Sequence, residues 1–203
     1  MRFRSQLAGC PQQASPKIYS EPIPDGDAGI TRTVQLMKSL VYASRRSPEV
    51  REAALEAARG ADRGIGEIDA VFDWVQRNIE FRGEYGETLQ EPRITLRYRA
   101  GDCDDQSMLS AAMLQHLGYE TRFRTVALRS SPDEFSHVYV EVYDKRAGAW
   151  VPLDTTVAGV YPGWQPEEIQ RSAEYGYNQP AKISPLVEAG LFVAALLLIP
   201  FPG

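Results

Sequence analysis

The stretch Gly101-Asp102-Cys103-Asp104-Asp105, followed by Gln106-Ser107-Met108-Leu109-Ser110-Ala111-Ala112-Met113-Leu114-Gln115-His116-Leu117-Gly118, carries clear helix start and stop signals. A glycine interrupts the preceding run, and Asp102 or its neighbour suits an N-cap. Acids follow in the first turn, an apolar-rich body comes next, and Gly118 supplies the C-terminal stop. Cys103 then sits at the helix N-terminus, where unpaired N–H groups and the helix dipole favour a thiolate. The three neighbouring aspartates oppose that charge. A lone cysteine at such a position is commonly inert, so the rest of the chain decides its role.

Working downstream, Tyr119–Leu128 reads as a strand, with Phe123, Val126 and the β-branched Thr121 and Thr125. After the loop Ser130–Glu134, the run Ser136–Tyr143 alternates strictly. Val138, Val140 and Val142 fall on one face; His137, Tyr139, Glu141 and Tyr143 fall on the other. Asp144–Gly148 is a turn and Trp150–Asp154 the return strand. A hairpin closing symmetrically about Lys145-Arg146 sets His137 opposite Asp154, with Cβ atoms about 5 Å apart. A one-residue slip would turn Asp154 to the other face. A carboxylate beside an imidazole fixes its tautomer and steadies the imidazolium, leaving the second nitrogen to take a proton from a nucleophile. Cys103 is the candidate nucleophile, and its backbone N–H at the helix start a candidate oxyanion donor. For a second donor or a substrate contact, Gln90, Tyr98, a backbone group of the 82–100 loop and Trp164 are candidates. His116 lies 13 residues beyond Cys103. That is about 220° around a helix, so it points away.

Working upstream, Ile68, Phe72, Val75 and Ile79 share one helical face within Ile65–Phe81, and Trp74 adds bulk. Ser47-Pro48-Glu49 is a strong helix start for a segment stopping at Gly60. Thr31–Ser44 carries Val34, Met37, Leu40 and Val41 at helical spacing. Residues 82–100, with scattered Gly, Pro and Arg, read as a loop approaching the cysteine. Helices thus precede an antiparallel sheet, an α+β pattern. The boundaries expected are an extended arm over 1–30, N-terminal helices over 31–64, a catalytic domain over 65–180 and an apolar tail over 181–203.

Composition narrows the function classes. Of 203 residues, 43% are hydrophobic and 10% aromatic, enough for a real core, and the net charge is −5. Mixed charge without clustered Lys and Arg argues against a nucleic-acid binder. Two cysteines, Cys10 and Cys103, do not make a disulfide scaffold. Leu7-Ala8-Gly9-Cys10 has the shape of a lipoprotein cleavage box, but the short, charged Met1–Gln6 is not the apolar run such a box needs, so the match is read as chance. Leu186–Phe201 is almost wholly apolar yet shorter than the roughly 20 residues of a spanning helix. The expectation is a helix docked on the protein or a partner, with an interfacial or membrane-tethered tail as the alternative. No paired Cys/His spacing for zinc is present. Asp102, Asp104 and Asp105 are possible calcium ligands, although no EF-hand-type acidic loop accompanies them.

Three motifs in order carry a resemblance: Arg99-Ala100-Gly101-Asp102-Cys103-Asp104-Asp105 with its apolar helix, Ser136-His137-Val138-Tyr139-Val140-Glu141-Val142, and Trp150-Val151-Pro152-Leu153-Asp154-Thr155-Thr156. With the approach helix Phe72–Ile79, residues 65–157 resemble the core of the transglutaminase-like superfamily. The resemblance implies a papain-like α+β fold and a Cys103, His137, Asp154 triad. That superfamily includes cross-linking enzymes, cysteine peptidases, amidases and relatives lacking the triad. The chain has no room for the accessory β-domains of animal transglutaminases. It resembles small bacterial and phage-encoded peptidases, which implies hydrolysis of a protein or peptide substrate over cross-linking. No cofactor is implied, although some relatives use calcium. The competing reading is a structural protein that keeps the fold in a virion or membrane-associated assembly, using the N-terminal arm and residues 186–203 as partner surfaces. The compartment expected by default is the cytoplasm.

Overall fold

The computed structural model describes residues 17–83, 87–177 and 193–198. The helical half comprises α1 (Gly26–Ser44), α2 (Pro48–Ala57), α3 (Ile65–Asn78), α4 (Pro92–Tyr98) and α5 (Cys103–His116). Ser47 caps α2 by accepting from the Val50 N–H, and Pro48 occupies its first turn. Asp102 caps α5 through its side chain. Helix α5 is buried continuously from Asp105 to Leu114, because the other helices and the sheet surround it. A helix enclosed on all sides has no polar face to present, which explains the Met, Ala, Leu and Ser content of this stretch.

Strands β5 (Thr121–Leu128), β6 (His137–Asp144), β7 (Ala149–Leu153) and β8 (Ile169–Gly176) form a four-stranded antiparallel sheet in the order β7-β6-β5-β8. Val138, Val140 and Val142 join the helical core, packed with Met108, Leu109 and Phe72 in one cluster. The Ser107 hydroxyl donates to the Val138 carbonyl at 3.3 Å and ties α5 to β6. The opposite face of β6 is also closed. Tyr139 is fully buried, and Glu141 is buried beneath Arg122 at 2.5 Å and Arg124 at 3.2 Å.

Several sequence expectations are corrected. Helix α1 begins at Gly26, inside the stretch read as an arm. Residues 82–100 are not one loop. They contain β3 (Glu87–Leu89), helix α4 and β4 (Ala100–Gly101), and β4 pairs in parallel with β2 (Glu80–Phe81). In the apolar tail, Val193–Leu198 is strand β9, not helix. It lies between β1 (Lys17–Pro22), parallel, and β3, antiparallel. A continuous apolar run satisfies a buried strand as well as a helix, so its pattern does not discriminate. The rest of the tail and residues 1–16, including Cys10, lie outside the described residues. Among the described residues no helix is long and apolar enough to cross a membrane.

Candidate active site

Cys103 is the first residue of α5, and its side chain is half-buried. The approach to it is tightly constrained. Arg99 adopts a left-handed φ of 54° to end α4, and β4 then delivers Gly101 against Asp105. A Cβ on Gly101 would lie 2.6 Å from the Asp105 Cβ, so no larger residue fits without displacement. The Gly101 carbonyl accepts from the Arg82 N–H at 3.1 Å and from Gln106 Nε2 at 3.3 Å.

The aspartates divide into separate roles. Asp102 Oδ1 accepts from the Asp104 N–H at 3.1 Å and the Asp105 N–H at 3.3 Å. Asp105 is fully buried and accepts from the Gln90 N–H at 2.7 Å and Gln90 Nε2 at 2.5 Å. Asp104 borders the cavity described below. Two of the three acids are therefore directed at N–H donors and do not converge on a common point. Among the described residues no group of three or more His, Cys, Asp or Glu is placed to hold a metal ion, so no step is derived through calcium.

The hairpin register differs from the symmetric one expected. Val140 pairs with Leu153, Val142 with Val151 and Tyr143 with Trp150. Lys145, Arg146, Ala147 and Gly148 all lie in the connection between the paired Asp144 and Ala149. Gly148 takes a positive φ of 65°, and Asp144 Oδ1 accepts from the Arg146 N–H. The pairing is thus displaced by two residues. Because side-chain direction repeats every two residues, the face assignment survives. His137 and Asp154 meet diagonally, with His137 Nε2 at 2.7 Å from Asp154 Oδ2. A diagonal pair remains within reach of long side chains.

Asp154 is 1% exposed. Its second oxygen accepts from the Thr156 N–H at 3.1 Å and the Thr156 hydroxyl at 2.6 Å. Burial alone would raise its pKa, but His137 and the two Thr156 donors outweigh it and hold the carboxyl below the ordinary range. Gln106, buried, joins the two halves of the site. Its Nε2 donates to Gly101, and its Oε1 accepts from the Thr155 hydroxyl at 3.0 Å. Neither Gln106 nor Thr156 was found from sequence. The Asp154-Thr155-Thr156 run was the one available signal, since a hydroxyl residue two positions after an acid commonly bonds back to it.

Cys103 and His137 line one cavity of about 170 Å³. Gln90, Tyr98 and Trp164 lie outside that lining. The Gln90 amide is directed to Asp105, and Tyr98 is 64% exposed on α4. Trp164 is half-buried in a loop whose Gly163 N–H bonds the Pro152 carbonyl. His116 points elsewhere, with Nδ1 at 3.0 Å from the Arg45 carbonyl.

No curated protein matches the chain. Solved structures are similar to part of the chain. A proposed cysteine protease from Cytophaga hutchinsonii is 21% identical at a TM-score of 0.47, over 68% of this chain and 50% of its own. A proposed protease from Parabacteroides distasonis is 12% identical at a TM-score of 0.46, over 66% of this chain and 31% of its own. The chain therefore spans half or less of the length of either structure. A family model described as the transglutaminase-like superfamily matches residues 51–155. That match covers more than half of the sequence, from α2 to the residue after Asp154, and on it the chain belongs to the transglutaminase-like superfamily.

Proposed function

We propose that the chain is a cysteine-dependent amide or peptide hydrolase, with Cys103 as nucleophile, His137 as general base and acid, and Asp154 as the group orienting His137. The observation that carries the reading is the meeting of Cys103 and His137 at one cavity, with His137 bonded to a buried carboxylate behind it. Superfamily membership supports thiol-based acyl chemistry in the same residues.

In this reading the His137 Nε2–H hydrogen-bonds to Asp154, which stays ionised and leaves Nδ1 to take the proton of the Cys103 thiol. Sγ attacks the substrate carbonyl carbon, and the carbonyl oxygen takes up the negative charge. The Cys103 backbone N–H, at the helix N-terminus, is the proposed oxyanion donor. The Asp104 and Asp105 amides are assigned no such part, since Asp102 already accepts from them. Collapse breaks the C–N bond, the imidazolium gives its proton to the departing amine, and a thioester remains on Cys103. Water, deprotonated by His137, attacks that thioester. The C–S bond breaks, and the acid and the enzyme are released. An amine in place of water would give acyl transfer by the same steps.

The test is alkylation by iodoacetamide across a pH series, followed at Cys103 by peptide mass spectrometry. The expected result is labelling well below the ordinary thiol pKa of about 8.5, lost in His137→Ala. Labelling that begins only near that value, unchanged in His137→Ala, would sink the proposal. It would leave the non-catalytic assembly protein as the better reading.

A further inference from the structure

We propose that the cavity beside Cys103 receives an uncharged aliphatic side chain of the acyl donor, about the size of leucine, and that helix α1 sets this preference. The inference rests on the hydrolase reading above and adds the substrate class to it.

The cavity wall is apolar over most of its extent. Ile30, Val34 and Met37 of α1 line it together with Phe135 and Val138; Ile30 and Phe135 are half-buried, and the other three are almost excluded from water. The first three recur at steps of four and three, so they lie on one face of the helix. Thr33, Thr125 and Ser136 add small hydroxyls. Among the described residues no lysine or arginine lines the space, and apart from His137 the ionisable groups there are Cys103 and Asp104. An acidic side chain would meet Asp104 and would lose its hydration on entry. A basic side chain would lose the hydration of its head against the apolar part of the wall.

Size narrows the choice further. The volume of about 170 Å³ is close to that of an apolar cavity known to take up benzene, about 150 Å³. A side chain of four carbons fits, and glycine or alanine leaves the space unfilled. Helix α1 (Gly26–Ser44) precedes residues 51–155, the segment matched by the family model. The α1 part of the wall is therefore supplied by an element outside the shared core.

Peptidyl chloromethyl ketones test this with a defined reaction. The Cys103 thiol gives its proton to His137, a carbon–sulfur bond forms, the carbon–chlorine bond breaks and chloride leaves. Reagents with leucine, glycine or aspartate next to the reactive group are compared with iodoacetamide, which has no side chain. The leucyl reagent is expected to react about 10-fold or more faster than the glycyl one, with the aspartyl reagent slowest. Ile30→Trp, a substitution at a half-buried position, is expected to collapse the leucyl-to-glycyl ratio toward one. Leu55→Ala, exposed on α2, is expected to keep it. Should Ile30→Trp fail to fold, Thr33→Leu narrows the same wall. Rapid, His137-dependent iodoacetamide labelling with a flat ratio across the reagents overturns the inference and leaves the hydrolase reading standing. A leucyl preference that survives both α1 substitutions also overturns it. Slow labelling insensitive to His137→Ala removes both readings together.

Discussion

Asp105 and Asp154 are both almost excluded from water, at 0% and 1% exposure, and each accepts a hydrogen bond from a side chain 15 or 17 residues before it in the chain, Gln90 for Asp105 and His137 for Asp154. Their partners differ. Asp105 is held by the backbone and side-chain amide of Gln90, groups that do not titrate. Asp154 is held by Thr156 and by His137, whose imidazole lines the cavity with Cys103. One carboxylate locks the approach to α5 in place. The other faces a group able to move a proton. A buried acid is thus assigned to scaffold or to chemistry by what it holds, and burial alone does not separate the two.

The comparison can be broken most forcefully by paired substitutions. In the proposed mechanism Asp154→Asn removes the acceptor that fixes the His137 tautomer. It is expected to lower the rate of peptidyl anilide hydrolysis on the order of 1,000-fold or more, with the fold retained by circular dichroism. Asp105→Asn is expected to act mainly on stability. It sets an amide NH₂ against the Gln90 donors and should cost about 1–3 kcal/mol, read from the urea midpoint. If the two variants changed hydrolysis equally at equal stability, the division of roles would fail.

Gly101→Ala sharpens the scaffold half. The added Cβ would fall 2.6 Å from the Asp105 Cβ, inside any ordinary contact. The expected loss is about 1–3 kcal/mol in urea unfolding, and a neutral result would mean that the turn can give way. Ser47→Ala serves as a reference far from the cavity. Losing the cap on α2 should cost about 1 kcal/mol and leave the pH dependence of Cys103 labelling unaltered.

The smallest expected effect is a drift with pH. The folded-state pKa of Asp154 is depressed, so its contribution is fully present above the unfolded value of about 3.9. That contribution declines as pH falls through the folded-state pKa, where protonation in the native state catches up with that in the unfolded chain. The stability difference between the wild type and Asp154→Asn should therefore shrink on acidification below about pH 4, measured by urea unfolding at several pH values. A difference that stayed constant or widened toward acid would contradict the assignment.

What sequence could reveal follows the same division. Helix α5 was legible because its cap, its acids and its closing glycine are local signals, and β6 because its alternation is local. The His137–Asp154 contact was approached through the hairpin. The closing turn was placed one residue too early along the chain, which displaced the pairing by two, and the even displacement kept both residues on one face. Elements that depend on distant partners were missed. Strand β8 is largely exposed and polar, and only its pairing with β5 makes it a strand. Helix α4 is a short segment whose Pro92 start was visible but was lost among the Gly and Arg around it. The cavity wall was hidden for the same reason. The spacing of Val34 and Met37 announces a buried face without saying that Cys103 lies across from it.

The most direct measurement is a thiolate titration by ultraviolet absorbance, taken as the difference between the wild type and Cys103→Ser so that Cys10 cancels, and repeated in His137→Ala. The account predicts a Cys103 ionisation well below about pH 7 that moves upward when His137 is removed. A single ionisation near pH 8.5, the same with and without His137, would contradict it.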